Sequence, residues 1–275
     1  YDMNVLFETL PTYANNQAVK TAVDVKPGMS VLDGQGEVTI LKEGSVIHPV
    51  IDGSLGDQAA WTASAPLQMM QVRLEYKIAP GLMWSDGSPV TSADFLFSFE
   101  VANELRNPQD LWLLERTSSI EQMDLTTVVW TGIPGFVPVD FEELVFPPIP
   151  FSQFSEISPS EIGISAEANE TPLGWGAYRI SERTPGSAIM LERNPYYNPK
   201  PAYDQVVMLV EPDLQQAISK LQSGACDVLD PSYHLEGQSR DVLTSLSQSG
   251  NLVAENFEFT QQLVFGIQPA AYDGG

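Results

Sequence analysis

Two histidines, one cysteine and a surplus of carboxylates are the side chains of this chain that could do chemistry. His48 and His234 lie far apart, neither falls in an HExxH pattern, and neither has a Cys/His neighbour at ligand spacing, so no metal site is expected. The lone Cys226 cannot form an internal disulfide and reads as a small apolar side chain in a buried strand. GxSxG, Walker A and GxGxxG patterns are absent, and Gly174-Trp175-Gly176 is too short for a dinucleotide loop. A glycosidase needs two carboxylates at a fixed separation, and 36 Asp plus Glu offer too many pairs to single one out. The remaining chemistry is aromatic stacking. Trp84, Phe151 and Trp175 border turns, and each could lie against a ligand or pack on its own turn. No catalytic residue and no cofactor is expected.

The composition narrows the classes further. With 275 residues, 43% hydrophobic residues and five tryptophans, the chain can bury a full core as one large domain or two small ones. Thirteen Lys plus Arg against 36 Asp plus Glu give a formal charge of −23, which repels nucleic acid and anionic lipid. No apolar run approaches the roughly 18 residues that span a bilayer, and YDMNVLFETL lacks the basic start of a signal peptide.

The elements that must position these residues follow from periodicity. Residues 1–13 read as a short amphipathic helix with Val5, Leu6 and Leu10 on one side. Residues 14–68 are irregular, with short β-like pieces between glycines. MMQVRLEYKIA (69–79) alternates cleanly, with Val72, Leu74, Tyr76 and Ile78 on one face, and reads as a strand. A turn, Trp84-Ser85-Asp86-Gly87-Ser88-Pro89, follows; its Asp-Gly suits a bend with positive φ. Thr91 and Asp94 form a capping pair for a helix over 92–105, which Asn107-Pro108 ends. DLTTVVW (124–130) predicts a second strand beside the first.

The segment 132–159, rich in proline and phenylalanine, predicts a packed loop with a short helix at FEELVF (141–146). Beyond it come a glycine turn, a hairpin of AYRISER and SAIMLERN around Pro185-Gly186, and the strand YDQVVMLVE. A helix DLQQAISKLQ is capped by Asp213 and stopped by Gly224; a strand CDVLD, a helix at 238–248 and the strands LVAENFEF and QQLVFGI complete the pattern. Strands alternating with helices indicate an α/β fold.

Four ordered segments carry a resemblance. GLMWSDGSPVTSAD (81–94), TPLGWGAY (171–178), LERNPYY (191–197) and DLQQAISKLQSGACDVL (213–229) resemble the motifs of extracellular solute-binding proteins of the peptide/nickel ABC-importer type, family 5. Within them Trp84, Ser85, Asp86, Gly87, Gly174, Gly176, Tyr178, Arg193, Asn194 and Pro195 match scaffold positions. Trp175 and Ala177 stand where threonine and proline are usual.

The resemblance implies a mixed-sheet α/β lobe of a two-lobed, type II-like periplasmic-binding-protein fold. Residues 1–275 would form the first lobe, with 14–68 a family-variable insertion and the second lobe outside this chain. It further implies a monomeric receptor, periplasmic or tethered to the outer face of the cell membrane, that captures a peptide-like or other small solute and delivers it to an ABC permease without catalysis. Trp84, Phe151 and Trp175 would be its aromatic ligand contacts. A secreted glycosidase-like hydrolase and a protein-interaction domain are the alternatives.

Overall fold

A computed structural model of the chain describes residues 5–62, 66–142 and 144–229, with isolated helical positions between 241 and 248. The chain divides into two compact units, residues 1–209 and residues 210–275. The helix expected at 238–248 falls mostly outside the described residues, and the strands LVAENFEF and QQLVFGI fall wholly outside them.

The first unit is built on an antiparallel sheet. Its strand β1 (Ala18–Val25) is followed by β2 (Ser30–Leu32) and β3 (Val38–Ile40), which pair with each other, and by β4 (Val46–Ile47), β5 (Val50–Ile51), β6 (Ser54–Leu55) and β7 (Ala59–Ala60) in small ladders. The long β8 (Leu67–Lys77) pairs with β1 along its whole length, Ala18 opposite Leu74 and Val25 opposite Leu67. Helix α1 (Ser92–Leu105) and the short α2 (Leu111–Arg116) lead into β9 (Thr117–Asp124) and β10 (Thr127–Gly132), giving the order β1-β8-β10-β9. The alternation read in β8 is realised: Val72, Leu74 and Tyr76 are fully buried, and Trp130 joins them from β10.

Four expectations are corrected here. Residues 6–8 are not helical: Phe7 bridges Ile78, and the Glu8 amide donates to the Lys77 carbonyl at 2.9 Å. Leu6 and Phe7 are consecutive and both buried, whereas an amphipathic helix buries residues three or four apart. The span 14–68 is not wholly irregular, since it contains β1, an integral strand of the sheet. Residues 124–126 belong to a hairpin turn; Asp124 Oδ1 accepts from the Thr126 amide at 2.8 Å, which ends β9 and starts β10. FEELVF forms no helix among its described residues, because Leu144, Val145 and Phe146 are buried in succession. Three short helices follow instead, α3 (Phe151–Phe154), α4 (Pro159–Ile162) and α5 (Ala166–Asn169).

A separate antiparallel sheet, β11 (Tyr178–Thr184), β12 (Ala188–Arg193) and β13 (Gln205–Leu209), closes the unit in that order. Its first hairpin turns at Pro185-Gly186 as expected, with Gly186 at φ +72°. In the second unit α6 (Leu214–Ser223) is capped by Asp213, whose Oδ1 accepts from the Gln216 amide at 2.8 Å, and ends at Gly224 with φ +71°. The expected strand CDVLD is not formed over 226–229. Cys226, half-buried, donates its Sγ–H to the Val228 carbonyl at 3.0 Å, so this stretch bends on itself instead of extending.

Tyr76 gives the first unit a pH dependence. Its ring lies 4.9 Å from Phe7, and its hydroxyl donates to the Phe141 carbonyl at 2.7 Å. Burial, and secondarily the charge of Asp140, push the phenol far above its ordinary value of 10.0. The unfolded chain therefore releases this proton near pH 10 while the folded chain keeps it, so the contribution is intact below pH 10 and declines above it. Unfolding free energy is expected to fall by up to about 1.4 kcal/mol per pH unit above pH 10. Urea titrations at stepped alkaline pH read the slope, and Tyr76→Phe is expected to flatten it.

Candidate functional site

The turn between β8 and α1 is where separated segments of the first unit meet. Its backbone is closed by the Trp84 amide on the Ser88 carbonyl at 2.8 Å and the Gly87 amide on the Trp84 carbonyl at 2.9 Å. Asp86 Oδ1 accepts from the Ser88 amide at 2.8 Å and from its hydroxyl at 2.6 Å, an arrangement in which a short acid mimics one more turn of backbone. Gly87 sits at φ +90°, and a Cβ there would lie 2.5 Å from Cζ of Tyr196. Glycine is thus required both by conformation and by the ring resting on it.

Asp94 fastens this turn to the helix and to a distant loop. Its Oδ2 accepts from the Thr91 amide at 2.7 Å and from Trp84 Nε1 at 3.3 Å, while its Oδ1 accepts from the Phe151 amide at 2.8 Å. Asp94 is 4% exposed. The expected capping pair is present, with Thr91 as N-cap and Asp94 closing the box.

The glycine turn and the second sheet dock on the same spot. Ser85 Oγ accepts from the Gly174 amide at 3.3 Å, and the Ser85 carbonyl accepts from Arg179 Nη1 at 3.1 Å. Arg179 also grips Glu192, its cross-strand partner, through Nε at 2.8 Å and Nη2 at 2.6 Å. Asn194, 2% exposed, donates Nδ2 to the Gly176 carbonyl at 2.9 Å and accepts the Tyr196 amide at 3.0 Å. Arg193 clamps the carbonyls of Ala202 and Tyr203, each at 2.8 Å, and pairs with Asp204; the Tyr178 hydroxyl donates to the same Tyr203 carbonyl at 3.1 Å. Pro195 is exposed in the turn that follows Asn194. Neither Gly174 nor Gly176 has a positive φ. Their part here is to present a backbone donor and acceptor, not to make a bend that other residues could not.

The three aromatic candidates have different surroundings. Trp84 is 1% exposed and packs edge-on against Trp175 at 5.4 Å. Trp175 is half-buried. Phe151 packs edge-on against Phe97 at 5.6 Å and is 46% exposed. Beside the turn lies a depression of about 490 Å³ lined by Ser85, Asp86, Thr171, Leu173, Arg179 and Glu192. Arg179 and Glu192 escaped the sequence reading. No local signal gives this pairing: a bulge between Ile180 and Glu182 shifts the hairpin register by one, and counting back from the Pro185-Gly186 turn without it would set Arg179 opposite Arg193.

His48 Nδ1 is 3.0 Å from the Gly56 carbonyl, and His234 lies outside the described residues. Among the described residues no group of three His, Cys, Asp or Glu is placed to hold a metal ion. Asp124 is held below the ordinary carboxylate range by the Thr126 amide and hydroxyl, and Glu211 by Lys220 and the Asp213 amide. A general acid needs a shift in the other direction.

Residues 72–258 match the family described as bacterial extracellular solute-binding proteins, family 5 Middle. A binding protein of Brucella melitensis is 30% identical over 124 residues, 45% of this chain and 20% of the relative. A Brucella ovis protein named as an ABC transporter peptide-binding protein is 26% identical over 217 residues, 78% of this chain and 39% of the relative. NikA of Brucella suis, solved in complex with Fe(III)-EDTA, superposes with a TM-score of 0.53 at 21% identity, over 89% of this chain and 43% of that one. The likeness shows the fold, that of the two-lobed periplasmic binding proteins. The chain spans less than half the length of each of these relatives.

Proposed function

The chain belongs to family 5 of the bacterial extracellular solute-binding proteins, and from that premise we propose that it is part of the substrate-binding component of an ABC importer. In this reading the whole protein captures a peptide-like solute outside the cytoplasm and hands it to a membrane permease. The name of the Brucella ovis relative supports the solute class. Among the described residues no helix is long and apolar enough to cross a membrane.

The observation that carries the reading is the convergence at the turn. Trp84 meets Trp175, Ser85 meets Gly174 and Arg179, and Gly87 lies under Tyr196. Three of the segments that resemble family motifs, 81–94, 171–178 and 191–197, thus meet at one turn and spend polar groups on one another, as a scaffold does. We assign residues 1–209 to the first lobe, with the small ladders between β1 and β8 as a family-variable insertion. Phe151 and Trp175 offer ring surface to a solute, and Trp84 supports Trp175 from within.

Calorimetry of the full-length protein against peptide and oligosaccharide pools tests this. Peptide binding at about micromolar strength without turnover is expected. Phe151→Ala should weaken it roughly tenfold, the scale of one lost aromatic contact, with little change in melting temperature. Hydrolysis of oligosaccharide, or no heat with any peptide, would overturn it.

A further inference from the structure

We propose that Gln153 is the positioning residue that sets the spacing of Phe151 and Trp175, the two rings offered to a solute, a role that presupposes that the whole protein binds peptide. Gln153 stands two residues after Phe151 on α3, and its side-chain amide reaches the segment that ends two residues before Trp175. Its Nε2 donates to the Thr171 carbonyl at 3.0 Å, and its Oε1 accepts from the Leu173 amide at 3.1 Å. The side chain thus presents a donor and an acceptor, as one more peptide unit would. The reverse orientation would set Nε2 against the Leu173 N–H and Oε1 against the Thr171 carbonyl, so only this one satisfies both partners.

The backbone of α3 does not supply this tie, because its amides are spent locally. Those of Gln153 and Phe154 donate to the Pro150 carbonyl at 3.0 and 3.2 Å, and that of Ser155 donates to the Phe151 carbonyl at 3.0 Å. The Phe151 amide is taken by Asp94 Oδ1 at 2.8 Å. Asp94 also accepts from Trp84 Nε1 at 3.3 Å, and Trp84 packs edge-on against Trp175 at 5.4 Å. Phe151, Asp94, Trp84, Trp175 and Gln153 therefore form a closed circuit, in which Asp94 and Trp84 hold the two ring-bearing segments from one end and Gln153 joins them at the other. With that link removed the circuit becomes an open chain, and the two segments can drift apart. Gln153 is half-buried, and its neighbour Phe154 is buried in a cluster with Phe97 and Val101, so α3 stays packed when the side-chain amide is lost. A solute that spans both rings feels the change.

The full-length protein tests the role. The peptide that the wild type retains from a mixture of random pentapeptides is recovered, resynthesised and used as the probe. Gln153→Met keeps the side-chain volume and removes both hydrogen bonds; it is expected to weaken probe binding about threefold to tenfold, part or all of one aromatic contact, with a melting temperature within about 4 °C of wild type. In a Phe151→Ala background the same substitution should change binding less than about twofold, because spacing matters only while both rings are present. With fluorotryptophan incorporated, the fluorine resonance of Trp175, assigned by Trp175→Phe, is expected to shift or broaden in Gln153→Met before any peptide is added. Unweakened binding by Gln153→Met, additive losses in the double variant or an unmoved Trp175 resonance each overturn the proposal and leave the peptide-binding reading standing. A wild type that retains no pentapeptide overturns that reading and the role with it. If Gln153→Met fails to fold, Gln153→Glu, which keeps the acceptor for Leu173 and loses the donor for Thr171, takes its place under the same criteria.

Discussion

Replacing Asp94 by alanine is expected to lower the free energy of unfolding of the first unit by about 3 to 4 kcal/mol. The carboxylate is buried and accepts from the Thr91 amide, the Phe151 amide and Trp84 Nε1. Hydrogen bonds to a charged acceptor are individually stronger than neutral ones, and the three donors would lose their shared acceptor at once. Asp94→Asn preserves the volume but replaces one acceptor oxygen by a donor, so it should cost about half as much. Urea unfolding followed by tryptophan fluorescence measures both. A wild-type midpoint for Asp94→Ala would show that the turn, the helix cap and the loop at Phe151 do not depend on one another.

The second large effect is expected at Gly87. A β-branched residue at φ +90° is strained by its own backbone, and its side chain must displace the Tyr196 ring, so Gly87→Val should cost about 3 kcal/mol. The two causes separate because Tyr196 is 47% exposed and can swing aside at the expense of its packing. Backbone strain should therefore dominate. In a Tyr196→Ala background the cost of Gly87→Val is expected to fall by no more than about 1 kcal/mol, the size of one lost ring contact. Thermal unfolding of the four variants in a double-mutant cycle gives the coupling. A cost that vanished with Tyr196 would reverse the ranking and make the ring, not φ, the reason for glycine.

The elements that could be read in the sequence are those whose determinants are local. Helix α1 was legible at both ends because its cap, Thr91 and Asp94, and its stop, Asn107-Pro108, lie within one turn of it. Strand β8 was legible because Val72, Leu74 and Tyr76 are buried on one face while Gln71, Arg73 and Glu75 alternate with them and stay partly exposed. β9 was not, since TSSIEQMD buries only Thr117 and Ile120, too few to show a period. β1 was hidden for a related reason: most of it is exposed on both faces, and its strand character comes from pairing with β8. The N-terminal segment was misread because the burial of Leu6 and Phe7 is imposed by β8 and its neighbours, which no local pattern reports.

At the site, the turn chemistry of Asp86 and Gly87 was visible in the residues themselves. The role of Arg179, the contact of Tyr196 with Gly87 and the reach of Asp94 to Phe151 were not. These depend on how segments far apart in the chain are brought together, and spacing along the sequence carries no information about that.

The ties at the turn span 57 residues from Asp94 to Phe151, 89 from Ser85 to Gly174 and 94 from Ser85 to Arg179. Contacts of this range reward the chain only after long loops have been closed, and closure must be met in entropy before any bond forms. The joint is thus expected to form late in folding, after α1 and the β11–β12 hairpin have formed from nearby residues. What it supplies is resistance to coming apart: loss of the tie from Asp94 to Phe151 is expected to fall on the rate of unfolding more than on the rate of folding. On the proposed function, that slow escape from the native state is what would keep in service a receptor outside the cytoplasm, where an unfolded chain has little chance of rescue.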